Sequence, residues 1–119
     1  MTCRHGASPV IVVPLAGEID LVNCEQVCDR LDAALVSGPA VVIADLTATS
    51  FCDCASLRRL LAVQQRAAAQ GAQLRLVIPP GSPVRQVAEL LDLNGQLRIY
   101  PGLREADGPA GSRSGPRGE

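Results

Sequence analysis

The stretch Val41–Val63, VVIADLTATSFCDCASLRRLLAV, decides the fold. Val41, Val42 and Ile43 are apolar and β-branched without alternation, the pattern of a strand buried on both faces, and Asp45 closes it. Thr47 to Ser50 read as loop. Asp53 stands just ahead of Leu57, Leu60 and Leu61, so its carboxylate is placed to accept from the free N–H groups of Ala55 or Ser56 and cap a helix. A strand thus delivers a helix N-terminus to the surface, where α/β folds usually meet ligands and partners. The helix dipole and free amides there favour negative charge. An Asp-x-x-Ser start is also an ordinary cap, and on local pattern alone the structural reading leads.

Before this stretch, Val10 to Leu15 reads as a strand, and Pro14 assigns it to a sheet edge or ends it. Ala16 to Asp20 make a turn. Asn23 is the expected N-cap of the next helix, with Gln26 three residues on completing a capping-box variant. Cys24, Val27, Cys28, Leu31, Ala34 and Leu35 fall on one helical stripe, so Cys24 and Cys28 are read as core packing. Asp29, Arg30 and Asp32 take the wet face, and Gly38-Pro39 stops the helix near Val36.

After it, the helix from Cys54 to Gln70 is expected to turn Leu57, Leu60, Leu61 and Ala68 inward and Arg58, Arg59, Gln65 and Arg66 outward. Gly71 ends it. Gln73 to Ile78 is a third strand, and Pro79-Pro80-Gly81 forces a loop. Ser82 with Pro83 starts a short helix to Leu91, since proline at the first position loses no hydrogen bond. Asn94-Gly95 turns the chain into a final strand, Leu97 to Tyr100, and Gly102 to Ala106 have room for one helical turn. Residues 1–9 are an N-terminal segment with room for a short extra strand. Residues 10–106 form the domain, and 107–119 read as a disordered tail because they carry no apolar side chain larger than alanine. Strands alternating with helices imply crossovers, hence an α/β fold with a central mixed, mostly parallel sheet of about four strands and helices packed on it.

The totals exclude several functions. With 119 residues, 47% of them hydrophobic, the chain holds one domain with a real core. A net charge of −1 and only two aromatic residues argue against nucleic acid as a direct partner. All eleven basic residues are arginine, which removes Schiff-base lysine chemistry and a P-loop lysine. No apolar run approaches the ~18–20 residues of a membrane span, and the N-terminus lacks signal-peptide regions, so the expected location is the cytoplasm.

The five cysteines are spaced C-x-x-x-C and C-x-C around positions 24–28 and 52–54, with Cys3 apart and His5 the only histidine. That spacing lacks the C-x-x-C pairs of zinc sites, so no metal site is assigned. A hydrolase would need a base beside its nucleophile, and Cys52 and Cys54 have none in sight. Asp20, Asp45 and Asp53 have the chemistry to hold Mg²⁺, yet each sits where aspartate is favoured locally as a cap or turn residue. The reading is therefore not an enzyme, and no cofactor is implied.

Two segments carry a family resemblance: Gly17-Glu18-Ile19-Asp20 after the first strand, and Phe51-Cys52-Asp53-Cys54-Ala55-Ser56-Leu57 at the start of the second helix. With the element order they resemble the STAS domain of bacterial anti-sigma factor antagonists, over about Val10 to Ala106. The family's marks are a Gly-Glu-(apolar)-Asp turn and an Asp-Ser-Ser-Gly-Leu segment. The resemblance implies a non-enzymatic domain that binds an anti-sigma factor, itself a serine kinase, and so releases a sigma factor by partner switching. In the family, phosphorylation of the second serine ends binding, and a phosphatase restores it.

Carried over by position, Asp53 matches the aspartate, Cys54 the first serine, Ala55 the phosphoacceptor and Ser56 the glycine. Ala55 keeps the size of the site but lacks the hydroxyl that would take on about −2 of charge. Ser56 is the substitute acceptor to weigh. The implied partner surface comprises Asp20, Asp53, Cys54, Ala55, Ser56, Arg58 and Arg59. A second reading keeps the fold but makes the chain a non-phosphorylatable scaffold or accessory subunit of a regulatory or transport assembly.

Overall fold

The computed structural model describes residues 10–107. The expected N-terminal segment 1–9, with its extra strand, and the tail from residue 108 lie outside the described residues. A four-stranded sheet takes the order β1-β3-β5-β6, from β1 (Val10–Pro14), β3 (Val41–Asp45), β5 (Gln73–Val77) and β6 (Ile99–Tyr100). Each pairing in it is parallel, with Val10 opposite Val41 and Val41 opposite Gln73. Between strands run α1 (Cys24–Val36), α2 (Cys54–Ala69) and α3 (Pro83–Leu90), and α4 (Leu103–Ala106) follows the last strand. Strand β6 is shorter than expected, because Leu97 is held in a turn by its N–H donating to the Leu93 carbonyl at 2.8 Å.

The main core lies between the sheet and α1, α2 and α3. Val42 and Ala44 of β3, Leu74 and Leu76 of β5, Leu31 of α1, and Leu57 and Leu60 of α2 are each wholly buried in it. Burying one such leucine stabilises the fold by about 2 kcal/mol. Cys24 and Cys28 are buried on the inward stripe of α1, as the periodicity predicts. On α2, Leu57 and Leu60 are buried and Arg58, Arg59, Gln65 and Arg66 exposed as the periodicity predicts, and only the last inward position differs: Ala67 is buried and Ala68 exposed. Ala67 also takes part in the helix ending, its carbonyl accepting from Gln70 and Ala72.

The opposite face of the sheet carries a smaller cluster, Val41, Ile43, Val77, Tyr100 and Ala106. Arg75 of β5 lies on this side and is fully buried. Its Nε donates to Gln73 Oε1 at 2.9 Å, its Nη1 donates to the Ala106 carbonyl at 2.7 Å, and its guanidinium sits 5.6 Å from the Tyr100 ring centre. A charged side chain in this position is tolerated because acceptors and a π-face replace its water.

Two segments read as turn and loop are strands. Gly17–Ile19 (β2) and Thr49–Cys52 (β4) pair in parallel, with a bulge between Gly17 and Glu18. They carry the β1–β3 pair onward after a bend. The Leu15 N–H donates to the Asp45 carbonyl at 2.9 Å, and the buried Thr49 hydroxyl donates to the Leu15 carbonyl at 2.6 Å. Gly17 makes the bend at φ 82°, a left-handed conformation in which a side chain would be strained.

Candidate functional site

The β2–β4 pair places the two motif segments at one end of the domain. Ile19 stands opposite Cys52, and both side chains point inward and are buried. Glu18 stands opposite Phe51, and both face outward. One residue on, the Asp53 N–H donates to the Ile19 carbonyl at 3.1 Å, which joins the turn before α1 to the first turn of α2.

Asp53 is the N-cap of α2, in extended backbone, and its Oδ1 accepts from the Ser56 N–H at 2.8 Å. The carboxyl is held below its ordinary pKa, first by the Ser56 hydroxyl, then by the Ser56 and Leu21 amides, each of which favours the ionised form. The Ser56 hydroxyl acts here by proximity, since its placement falls short of a formed hydrogen bond to any partner. Asp53 is therefore an anion at neutral pH.

Asp20 organises the turn before α1. Its Oδ1 accepts from the Val22 N–H at 3.0 Å and the Asn23 N–H at 3.3 Å. Asn23 precedes α1, but its side chain does not cap the helix, contrary to the capping-box expectation. Its Oδ1 instead accepts from the Asp20 N–H at 3.0 Å and its Nδ2 donates to the Glu18 carbonyl at 2.7 Å, so Asn23 ties the turn back onto β2. Asp45 is engaged in its own turn, accepting from the Thr47 N–H at 3.0 Å. The three aspartates weighed as a Mg²⁺ set are thus each bound to amides of separate local turns.

Of the residues predicted for the partner surface, Cys54 and Ala55 are exposed on the first turn of α2, Arg58 and Arg59 are exposed one turn further, and Asp20 and Asp53 are half-buried beside them. Arg59 stands on the α1 side, near enough for its charge to reach Cys28. Ser56 lies elsewhere: it is 0% exposed, beneath the helix start.

Three apolar residues at this end were not anticipated. Val22 is 89% exposed, Leu21 69% and Phe51 44%. Leu21 and Val22 fall in the turn between Asp20 and α1, outside the helical stripe, where periodicity assigns no surface. Phe51 lies on β4, a strand too short for alternation to mark its outward face. Below the surface, burial, then the Asp53 charge, pushes the Cys52 thiol up to about 12, and burial beside Cys24 raises Cys28 to about 11. Among the described cysteines only Cys54 is exposed.

This fold and the paired motif segments define a STAS domain. The chain belongs to that family, whose sequence profile matches residues 4–106. Among solved structures it is similar to an anti-sigma factor antagonist from Mycobacterium paratuberculosis, with 27% identity over 82% of this chain and 81% of that one, at a TM-score of 0.73. The fold is shared with the anti-sigma factor antagonist SpoIIAA in its unphosphorylated form (22% identity, 87% and 89% of the chains, TM-score 0.65). It is shared too with a sulfate transporter family protein from Wolinella succinogenes (18% identity, 82% and 80%, TM-score 0.62). No curated protein matches the sequence. Among the described residues no helix is long and apolar enough to cross a membrane.

Proposed function

We infer that this chain is an anti-sigma factor antagonist, acting in the cytoplasm, which binds an anti-sigma factor of the serine-kinase type and so frees a sigma factor. The observation that carries this reading is the likeness to the Mycobacterium paratuberculosis antagonist over four-fifths of both chains. The geometry supports it, because the family's two motif segments are hydrogen-bonded to one another and open onto one surface. That surface, formed by Asp20, Asp53, Cys54, Ala55, Arg58 and Arg59, with Ser56 buried beneath, is the partner site in this reading. Binding needs no catalytic group there.

Ala55 stands where the family's phosphoacceptor serine stands, so the usual negative mark has no hydroxyl to occupy. The antagonist is then binding-competent at all times, and control must lie in its abundance or in the partner. The test is titration of purified serine-kinase-type anti-sigma factors of the source organism with wild-type protein and with Ala55→Asp, whose charge imitates the missing phosphate. Wild-type binding that Ala55→Asp weakens, with unchanged thermal unfolding, supports the reading. Failure of all such factors to bind the wild type overturns it.

The second reading, a scaffold or accessory subunit of a larger assembly, draws on the shared fold of the Wolinella succinogenes transporter family protein. It predicts co-purification from native cells with components of such an assembly and without an anti-sigma factor.

A further inference from the structure

The turn before α1 holds Leu21 and Val22 out in water although neither has to be there for the fold. Asp20 fixes the turn through the Val22 and Asn23 amides, and Asn23 fixes it again through Glu18. The Asp53 N–H bond to the Ile19 carbonyl at 3.1 Å holds the turn that carries Leu21 and Val22 close to the start of α2. Phe51 reaches the same end from β4, beside Glu18. Single exposed apolar side chains are ordinary, and Val36 and Leu90 are examples at the ends of α1 and α3. Two apolar side chains on one turn and a third on the strand paired with β2, with charged residues next to them, have the composition of an interface centre with a polar rim.

The rim is polarised. Glu18 and Asp20 stand on the β2 side, Asp53 stands between the two sides at the N-cap of α2, and Arg58 and Arg59 are exposed further along α2. We propose that Leu21, Val22 and Phe51 are the apolar anchors of this domain for its protein partner. The partner is an anti-sigma factor presenting an apolar cleft edged by arginine or lysine toward β2 and by carboxylate toward α2. This rests on the reading as an anti-sigma factor antagonist, and it moves the centre of binding energy from the phosphoacceptor position to the turn before α1. Opposite charge at the edges sets register and speeds encounter, while the buried apolar centre sets the lifetime of the complex.

The test is calorimetric titration of the same purified anti-sigma factors with wild type, Val22→Ser, Phe51→Ser, Glu18→Arg and Ala55→Asp. Val22→Ser and Phe51→Ser should each weaken binding by about tenfold or more, which is ~1.4 kcal/mol. Val22→Ser should leave thermal unfolding unchanged, which separates lost contact from lost fold if Phe51→Ser is unstable. Glu18→Arg should weaken binding at low salt, with a deficit that shrinks as salt screens the new repulsion. If Ala55→Asp weakens binding while Val22→Ser and Phe51→Ser bind as wild type, the anchor assignment falls and the antagonist reading stands. If no such factor binds the wild type, both fall.

Discussion

The N–H of Asp53 donates to the carbonyl of Ile19 at 3.1 Å, and this bond makes one structural unit of two segments far apart in the chain. Strand β2 ends at Ile19 and the turn of Asp20 begins there; β4 ends at Cys52 and the cap of α2 begins at Asp53. The last rung between the strands is therefore also the first rung of the site.

Asp53→Ala should destabilise the domain by about 1 kcal/mol, the usual cost of losing an N-cap acceptor. Asp53→Asn keeps an acceptor and should lose less. The pH dependence follows from the lowered pKa of Asp53. Its stabilising contribution is complete above the ordinary carboxyl value of 3.8 and is lost as pH falls through the lower folded-state value. Denaturant midpoints of wild type and Asp53→Asn, measured at pH 6 and toward pH 2.5, should converge at the acid end.

Long periodic elements were legible from sequence, and short ones were not. The stripes of α1 and α2 and the apolar run of β3 each repeat often enough to fix their buried faces. Strands β2 and β4 have three and four residues, too few for alternation to stand out, and β4 sits in a stretch read as loop. The Glu18–Phe51 register, and with it Phe51 on the candidate surface, depends on the β2–β4 pairing and is not legible without it. Asn23 has the composition of a cap, but its Oδ1, the atom a cap needs, accepts instead from the Asp20 N–H. The position of Ser56 in the first turn of α2 is legible from the Asp53 cap, while its burial depends on packing that one-dimensional spacing does not contain.

Arg75→Met should cost about 3 kcal/mol, because it leaves the Ala106 carbonyl and the Gln73 side chain without their buried charged donor. The loss should be local first. Amide exchange of Ala106 and Asp107, whose N–H groups close α4 onto Gly102 and Leu103, should accelerate before that of β3 or β5.

The cysteines should divide by burial. At pH 8, a thiol reagent followed by peptide mapping should label Cys54 rapidly in the native protein, and Cys24, Cys28 and Cys52 only on unfolding. The thiols of Cys28 and Cys52 are raised in the folded state, so their contribution to stability is complete below the ordinary value of 9.0. It is lost as pH rises toward about 11 and 12. Denaturant midpoints should therefore fall above pH 9, and Cys52→Ala should flatten that fall.

Phosphorylation at the α2 start turns on Ser56, since Ala55 has no hydroxyl. By charge alone Ser56 is acceptable: it occupies the first turn of α2, where the dipole favours an anion. Sterically it is not, because the side chain is 0% exposed and the hydroxyl lies beneath the helix start. A kinase would have to unwind the first turn and break the Asp53 cap, and the added phosphate would then have to leave the core. The neighbouring position, about 100° around the helix, is exposed, but it is the alanine. The expected outcome of incubation with a purified serine-kinase-type anti-sigma factor and ATP is no phosphate on the intact protein. Ala55→Ser should gain one, because it restores a hydroxyl at the exposed position while leaving the cap in place. A stoichiometric phosphate on the wild type that disappears in Ser56→Ala would make Ser56 the acceptor and require that the start of α2 opens. Absence of phosphate on Ala55→Ser would instead show that the kinase does not recognise this surface.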